Sequence, residues 1–148
     1  MKVLMVCLGN ICRSPMAHGI LRDRIDQGDF KGSVDSAGTG DWHIGESPDE
    51  RAAAVSLKNG VDISDLRARQ LQTDDFNTYD WILVMDDKNY ADAKKLAPQS
   101  PRAKLERLTD YHPDSNINRV PDPYLEGGFE QVFQIVQTAV NRWVERQS

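Results

Sequence analysis

The stretch Cys7-Leu8-Gly9-Asn10-Ile11-Cys12-Arg13-Ser14-Pro15 sets a thiol and, after five intervening residues, an arginine and a hydroxyl in one short run. It lies between an apolar segment, Val3 to Val6, and a Ser-Pro pair that reads as a helix start, so it predicts a strand-to-helix turn built for an anion. Successive backbone N–H groups in such a turn converge on one point, and the helix behind it adds the positive end of its dipole. Arg13 offers a planar fork that grips two oxygens of a tetrahedral dianion at once. Cys7 would sit beneath that anion, where the same donors favour thiolate over thiol. The chemistry this allows is attack of sulfur on the centre of a tetrahedral oxyanion. Taken alone, Cys7 also reads as a small apolar residue ending a buried strand; Arg13 and the Ser-Pro pair favour the nucleophile. Cys12 is either a packed small residue or a second sulfur able to join Cys7 under oxidant, which would shield Cys7 from over-oxidation.

The elements that must hold this turn follow from hydrophobic patterning. Val3 to Val6 is continuous rather than alternating, as in a strand covered on both faces. Ser14 is expected to cap the next helix with Pro15 in its first position, Met16, Ile20, Leu21 and Ile25 to face the core, and Gly28 to end it. Ser33 to Ala37 reads as a weak strand and Gly38 to Ser47 as a loop. Ser47 and Glu50 have the spacing of a capping box for a helix that Gly60 closes. Thr73 to Phe76 reads as a short turn and Trp81 to Met85 as a strand; Asp86 or Asp87 then caps a helix that Pro98 stops. Lys104 to Leu108 reads as a short edge strand, and Thr109 to Gly128 as a long loop of the kind that carries function. Phe129, Val132, Phe133, Val136, Val140, Trp143 and Val144 recur at helical spacing. Alternating strands and helices imply an α/β sandwich with a mainly parallel sheet and its ligand crevice at the carboxyl ends of the strands.

The chain has 148 residues, the length of one domain, and 1–148 is expected to form a single unit. With 39% hydrophobic and 28% charged residues, the composition is that of a globular protein, and no apolar run approaches a membrane span, so no membrane partner is expected. Lys2 followed by Val3 to Cys7 imitates the opening of a secretion signal but is too short. The two cysteines are not a disulfide framework, and a reactive thiol needs a reducing compartment, which points to the cytoplasm. A net charge of -5 argues against nucleic acid; attraction for phosphate must be local. His18, His43 and His112 lack ligand spacing, and two cysteines cannot complete a zinc site, so neither metal nor cofactor is expected. The Gly38-x-Gly40 pair fails the dinucleotide fingerprint because His43 stands at the third glycine position, and no Walker-type sequence occurs.

Cys-x5-Arg-Ser near the amino end, Asp122-Pro123-Tyr124 far downstream, and between them Ser36-Ala37-Gly38-Thr39, Trp42-His43-Ile44-Gly45, Ala68-Arg69-Gln70-Leu71 and Met85-Asp86 together resemble the low-molecular-weight protein tyrosine phosphatases. The resemblance runs from end to end. It implies a three-layer sandwich of the phosphotyrosine phosphatase I type with a four-stranded parallel sheet in order 2-1-3-4, which periodicity alone does not yield. It also implies hydrolysis of phosphotyrosine and small aryl phosphates through a phosphocysteine, with Cys7 as nucleophile and Arg13 and the amides of Leu8, Gly9, Asn10, Ile11, Cys12 and Ser14 on the phosphoryl oxygens. Among 23 acidic residues, chemistry alone does not single out the general acid; the resemblance selects Asp122. Asn10, Ser14 and Ser36, otherwise turn and cap residues, would tie the loop together. Trp42 and Tyr124, otherwise core aromatics, would wall a deep cleft suited to phosphotyrosine. Two positions depart from the family: Leu66 replaces a supporting histidine, and Leu125 replaces a second aromatic. The partners implied are a phosphotyrosine-containing protein and inorganic phosphate, as product or inhibitor. Two other readings share the turn: an arsenate reductase of the same fold, whose thioredoxin-coupled form relays a disulfide through further cysteines, and a non-catalytic phosphotyrosine-binding or redox-sensing module.

Overall fold

The structure, a computed structural model, describes residues 1–147. Strand β1, Lys2–Cys7, leads through the Cys7-to-Ser14 turn into helix α1, Arg13–Asp26, and β2, Ser33–Gly38, follows. Then come α2, Glu50–Lys58; α3, Asp75–Thr78; β3, Trp81–Val84; and α4, Asp87–Leu96. The chain ends with β4, Lys104–Arg107; a 3-10 turn, Leu108–Tyr111; α5, Pro123–Glu126; and α6, Phe129–Arg146. The four strands pair in parallel in the order β2-β1-β3-β4, as the resemblance implied.

The unbroken apolar run of β1 has a direct physical reason. Side chains of a strand alternate between faces, and both faces are covered here: Val3, Met5 and Cys7 pack with α1 and α6, while Leu4 and Val6 pack with Phe76, Ile82, Val84 and Ala93 on the opposite side. The apolar stripe foreseen for α6 is buried, Phe129 partly, with Ala139 added to it. Among the described residues no helix is long and apolar enough to cross a membrane.

Two helix starts differ from the sequence expectation. Helix α1 begins at Arg13, with Cys12 at the cap position, so Ser14 lies inside the first turn and its hydroxyl is engaged by Cys7 and Asn10 rather than by the helix. At α2 the cap is Asp49, whose carboxylate accepts the N–H groups of Arg51 and Ala52, and not Ser47. A carboxylate placed two and three residues ahead of free amides outcompetes a hydroxyl farther back. The segment at Thr73 continues into a full helical turn, α3, and the long loop after β4 holds both the 3-10 turn and α5.

Candidate active site

The turn after β1 has its carbonyls and its amides turned to different tasks. The carbonyl oxygens of Cys7, Leu8, Ile11 and Cys12 accept hydrogen bonds from the N–H groups of Thr39, Gly40, Asp49 and Met16 at 2.9, 2.8, 2.8 and 3.2 Å. Among the described residues, the amides of Leu8 to Cys12 have no such acceptor. Buried backbone donors are almost always paired, so a run of free N–H groups at one concavity is an anion nest. The first two carbonyls are held by the residues that follow β2, that of Ile11 by the cap residue of α2, and that of Cys12 by the first turn of α1. A Cβ at Gly38 would stand 2.7 Å from the Leu8 oxygen, so only glycine lets β2 lie this close to the turn.

Within the turn a chain of donors leads to sulfur. Asn10 has φ 58°, the one left-handed non-glycine among the described residues. That conformation favours Asn over bulkier residues, and it turns the side-chain amide inward. Its oxygen accepts the Arg69 N–H at 3.0 Å, and its Nδ2 donates to Ser14 Oγ at 2.7 Å. Ser14 Oγ lies 3.1 Å from Cys7 Sγ, and the Ser14 N–H points at the same sulfur at 3.4 Å. With Nδ2 filling a lone pair on Ser14 Oγ, the hydroxyl proton is available to the sulfur; Ala37 O, at 3.4 Å, is the weaker alternative acceptor.

Arg13 is only 2% exposed, yet it borders the cleft. Its Nη1 donates to Asp86 Oδ2 at 2.7 Å and to the Val120 carbonyl at 3.0 Å, while Nη2 lies 3.7 Å from Asp122 Oδ2. Burial disfavours the guanidinium charge, but Cys7, Asp86 and Asp122 outweigh that effect and push its pKa above the ordinary arginine value. Arg13 is a fixed cation. Asp122 caps α5, its Oδ1 accepting the Tyr124 N–H at 3.0 Å, and Pro121 and Pro123 constrain the backbone on either side.

The cleft encloses about 370 Å³ and is bordered by Cys7, Leu8, Gly9, Ile11, Cys12, Arg13, Trp42, His43, Asp122, Tyr124 and Leu125. Every residue foreseen there from sequence is on this border except Asn10 and Ser14, which support it from behind, and Ser36. Ser36, expected to tie the loop together, has no side-chain bond to it; its hydroxyl shares a 2.9 Å hydrogen bond with His18 Nδ1. Cys12 is buried beside Cys7, both thiols are free, and burial together with Asp49 pushes the Cys12 thiol far above its ordinary pKa.

Two residues that support the turn, Asp86 and Arg69, and one packed behind it, His18, escaped the sequence reading. Asp86 was expected only as a helix cap, and it does cap α4, with Oδ1 accepting the Asn89 N–H at 2.7 Å; its second oxygen holds Arg13. His18 lies four residues after Ser14, one turn along the same face of α1, and that spacing was the available signal. Arg69, whose backbone holds Asn10, is itself clamped by Asp75 through two bonds of 3.0 and 3.1 Å and by Asp35 at 3.2 Å. No residue pattern announces that cluster, because its members come from three distant segments. Among the described residues no group of three or more His, Cys, Asp or Glu side chains is arranged to hold a metal ion.

Comparison with known proteins agrees with this geometry. The chain is 41% identical over 139 residues to the low molecular weight protein-tyrosine-phosphatase YfkJ of Bacillus subtilis, covering 93% of this chain and 89% of that one. It is 40% identical over 146 residues to the low molecular weight phosphotyrosine protein phosphatase of Schizosaccharomyces pombe, covering 95% and 93%. The crystal structure of YfkJ superposes with a TM-score of 0.92 at 39% identity, over 99% of this chain and 93% of that one. The family model described as low molecular weight phosphotyrosine protein phosphatase matches residues 2–147, and the chain belongs to that family.

Proposed function

We propose that the protein hydrolyses phosphotyrosine in proteins, and small aryl phosphates, in two steps through a phosphocysteine. In the first step the Cys7 thiolate attacks phosphorus while the amides of Leu8 to Ser14 and the Arg13 guanidinium hold the equatorial oxygens. The S–P bond forms, the P–O bond to the ring breaks, and Asp122 gives its proton to the departing phenolate. Phosphoryl oxygens then take the place that Asp122 Oδ2 occupies near Arg13 Nη2, which frees the carboxyl for that transfer. In the second step Asp122 takes a proton from water, the water oxygen bonds to phosphorus, and the S–P bond breaks with its electron pair returning to sulfur. Inorganic phosphate leaves and the thiolate is restored. The Ser14 hydroxyl, 3.1 Å from Sγ, stabilises the negative sulfur as it departs.

The observation that carries this reading is the run of amides from Leu8 to Cys12 without a backbone acceptor, in the turn that lines the same cleft as Cys7, Arg13 and Asp122. The reading extends to a single catalytic unit over 1–148, residing in a reducing compartment such as the cytoplasm, with inorganic phosphate as product or inhibitor and no role for nucleic acid or membrane. Thioredoxin-coupled arsenate reduction is disfavoured because both cysteines lie in the turn itself, and a pure binding module would need neither nucleophile nor acid. The test is release of p-nitrophenol from its phosphate with and without chelator. Hydrolysis that survives chelation and is lost on alkylation of Cys7 supports the proposal; alkylated protein that remains active contradicts it.

A further inference from the structure

The floor of the cleft accounts for a phosphate, and its rim has a character of its own. Of the seven large hydrophobic residues exposed among the described residues, four lie on the two loops that border the mouth: Trp42, Ile44, Tyr124 and Leu125. Trp42 is 68% exposed and Leu125 is 76% exposed. Concentrations of exposed apolar surface mark contact sites. Trp42 is held rather than loose. Its ring covers Gly40, where a Cβ would stand 2.1 Å from the indole Cζ3, and the Gly40 N–H is bonded to the Leu8 carbonyl at 2.8 Å. The indole is therefore in register with the phosphate turn. Across the mouth, the His43 ring meets Tyr124 edge-on with centroids 6.1 Å apart, which joins the two loops.

The charges around the rim are already spoken for. Arg51, beside the Tyr124 ring, is held by both oxygens of Asp49 at 3.2 and 3.0 Å. Arg119 is held by both oxygens of Glu126 at 2.9 and 3.1 Å. Of the residues bordering the cleft, Arg13 is the one lysine or arginine, and it sits at the floor against Asp86. A carboxylate beside the phosphotyrosine of a substrate would find no spare cation at the mouth. It would instead meet Asp122, and Glu46 where that residue pairs with His43 at 3.1 Å.

Resting on the phosphatase reading above, we propose that this rim is a specificity subsite for the substrate residue next to phosphotyrosine. It takes an aliphatic or aromatic side chain between Trp42 and Leu125 and turns away acidic flanks. Once the phosphoryl group is on the floor, the adjoining substrate residues have to pass this rim, so the subsite is continuous with the cleft. The gain comes from apolar area removed from water on both partners, and the discrimination from like charges brought together with no counter-ion.

The test compares kcat/KM for three phosphotyrosine peptides of equal length carrying Leu, Ala or Glu on both sides of the phosphotyrosine, with p-nitrophenyl phosphate as a flank-free reference. The expected order is Leu, then Ala, then Glu, with about tenfold or more between the extremes, the ratio for roughly one partly buried side chain. In Leu125→Lys the Leu-to-Glu ratio should fall to near one or invert; a ratio cancels any change common to the chemical step. A wild-type ratio near one, or a ratio that Leu125→Lys leaves in place, overturns the subsite. So does a ratio near one accompanied by specific activity that falls as protein concentration rises, which would assign the rim to a second copy of the chain. Release from p-nitrophenyl phosphate with equal peptide rates removes the subsite alone. Failure to hydrolyse any of the four removes the phosphatase reading and the subsite with it.

Discussion

Ser14 Oγ lies 3.1 Å from Cys7 Sγ while accepting the Asn10 side-chain amide at 2.7 Å, so one hydroxyl couples the Cys7 sulfur to the frame of its loop. On the proposed route the hydroxyl matters most when sulfur leaves phosphorus, because the thiolate then regains its full charge. Ser14→Ala should therefore slow breakdown of the phosphocysteine more than its formation. The expected result is kcat lowered by about tenfold to a hundredfold, with a pre-steady-state burst of p-nitrophenol at least as large relative to enzyme as the wild type's and a much slower steady phase after it. A loss of kcat with a smaller burst would place the hydroxyl's role in the first step.

Asp86 has two separable duties. Asp86→Asn keeps an oxygen for the Asn89 N–H and removes the charge that holds Arg13. Arg13 then loses its one short carboxylate bond and keeps only the Val120 carbonyl and the longer contact with Asp122, and kcat/KM should fall by about a hundredfold while α4 stays capped and the fold intact. Circular dichroism and steady-state kinetics measured together check this; unchanged kcat/KM would show that Asp86 serves only the helix.

His18 makes stability depend on pH. It is 7% exposed, and burial pushes its pKa down to about 4 from the ordinary 6.5, with Arg22 adding to the shift and Asp35 and Asp65 opposing it. The folded chain thus holds the neutral ring while the unfolded chain takes up a proton between those values. The stabilisation is complete above pH 6.5 and is lost as pH falls towards 4, by about 3 kcal/mol at full loss. Urea unfolding of the wild type and of His18→Gln across this window should show the steeper decline in the wild type. Parallel declines would mean that the ring exchanges protons freely in the folded state.

Peroxide should inactivate the enzyme and a thiol reductant restore it. Peroxide converts the Cys7 thiolate to a sulfenic acid, and the Cys12 thiol then condenses with it to a disulfide, releasing water. Because burial and Asp49 raise the Cys12 pKa, closure should quicken as pH rises and more Cys12 becomes thiolate. Cys12→Ser should recover less activity than the wild type after equal peroxide treatment. Equal recovery would count against protection by Cys12.

The sheet elements were legible because their signals are local. A four-residue apolar run covered on both faces announces β1, and spacing of three and four announces α6. The turn was legible because Cys7, Arg13 and Ser14 lie within eight residues. The capping duties of Ser14 and Ser47 were misread, because a competing partner in space decides a cap: Cys7 and Asn10 take the first hydroxyl, and Asp49 takes the amides from the second. Asp86 and Arg69 support the turn from across the fold, so only the packed chain brings them there. Asp122 was located by resemblance alone, and its approach to Arg13 depends on a backbone path that no spacing rule encodes.

The central claim is that a phosphoryl group passes through the sulfur of Cys7. Rapid acid quenching of Ser14→Ala during turnover of p-nitrophenyl phosphate, followed by peptide mass analysis, should find one phosphoryl group on the peptide containing Cys7 and none in Cys7→Ser, which should still bind phosphate but not turn over. A phosphoryl group on any other residue, or turnover that persists in Cys7→Ser, would contradict the account.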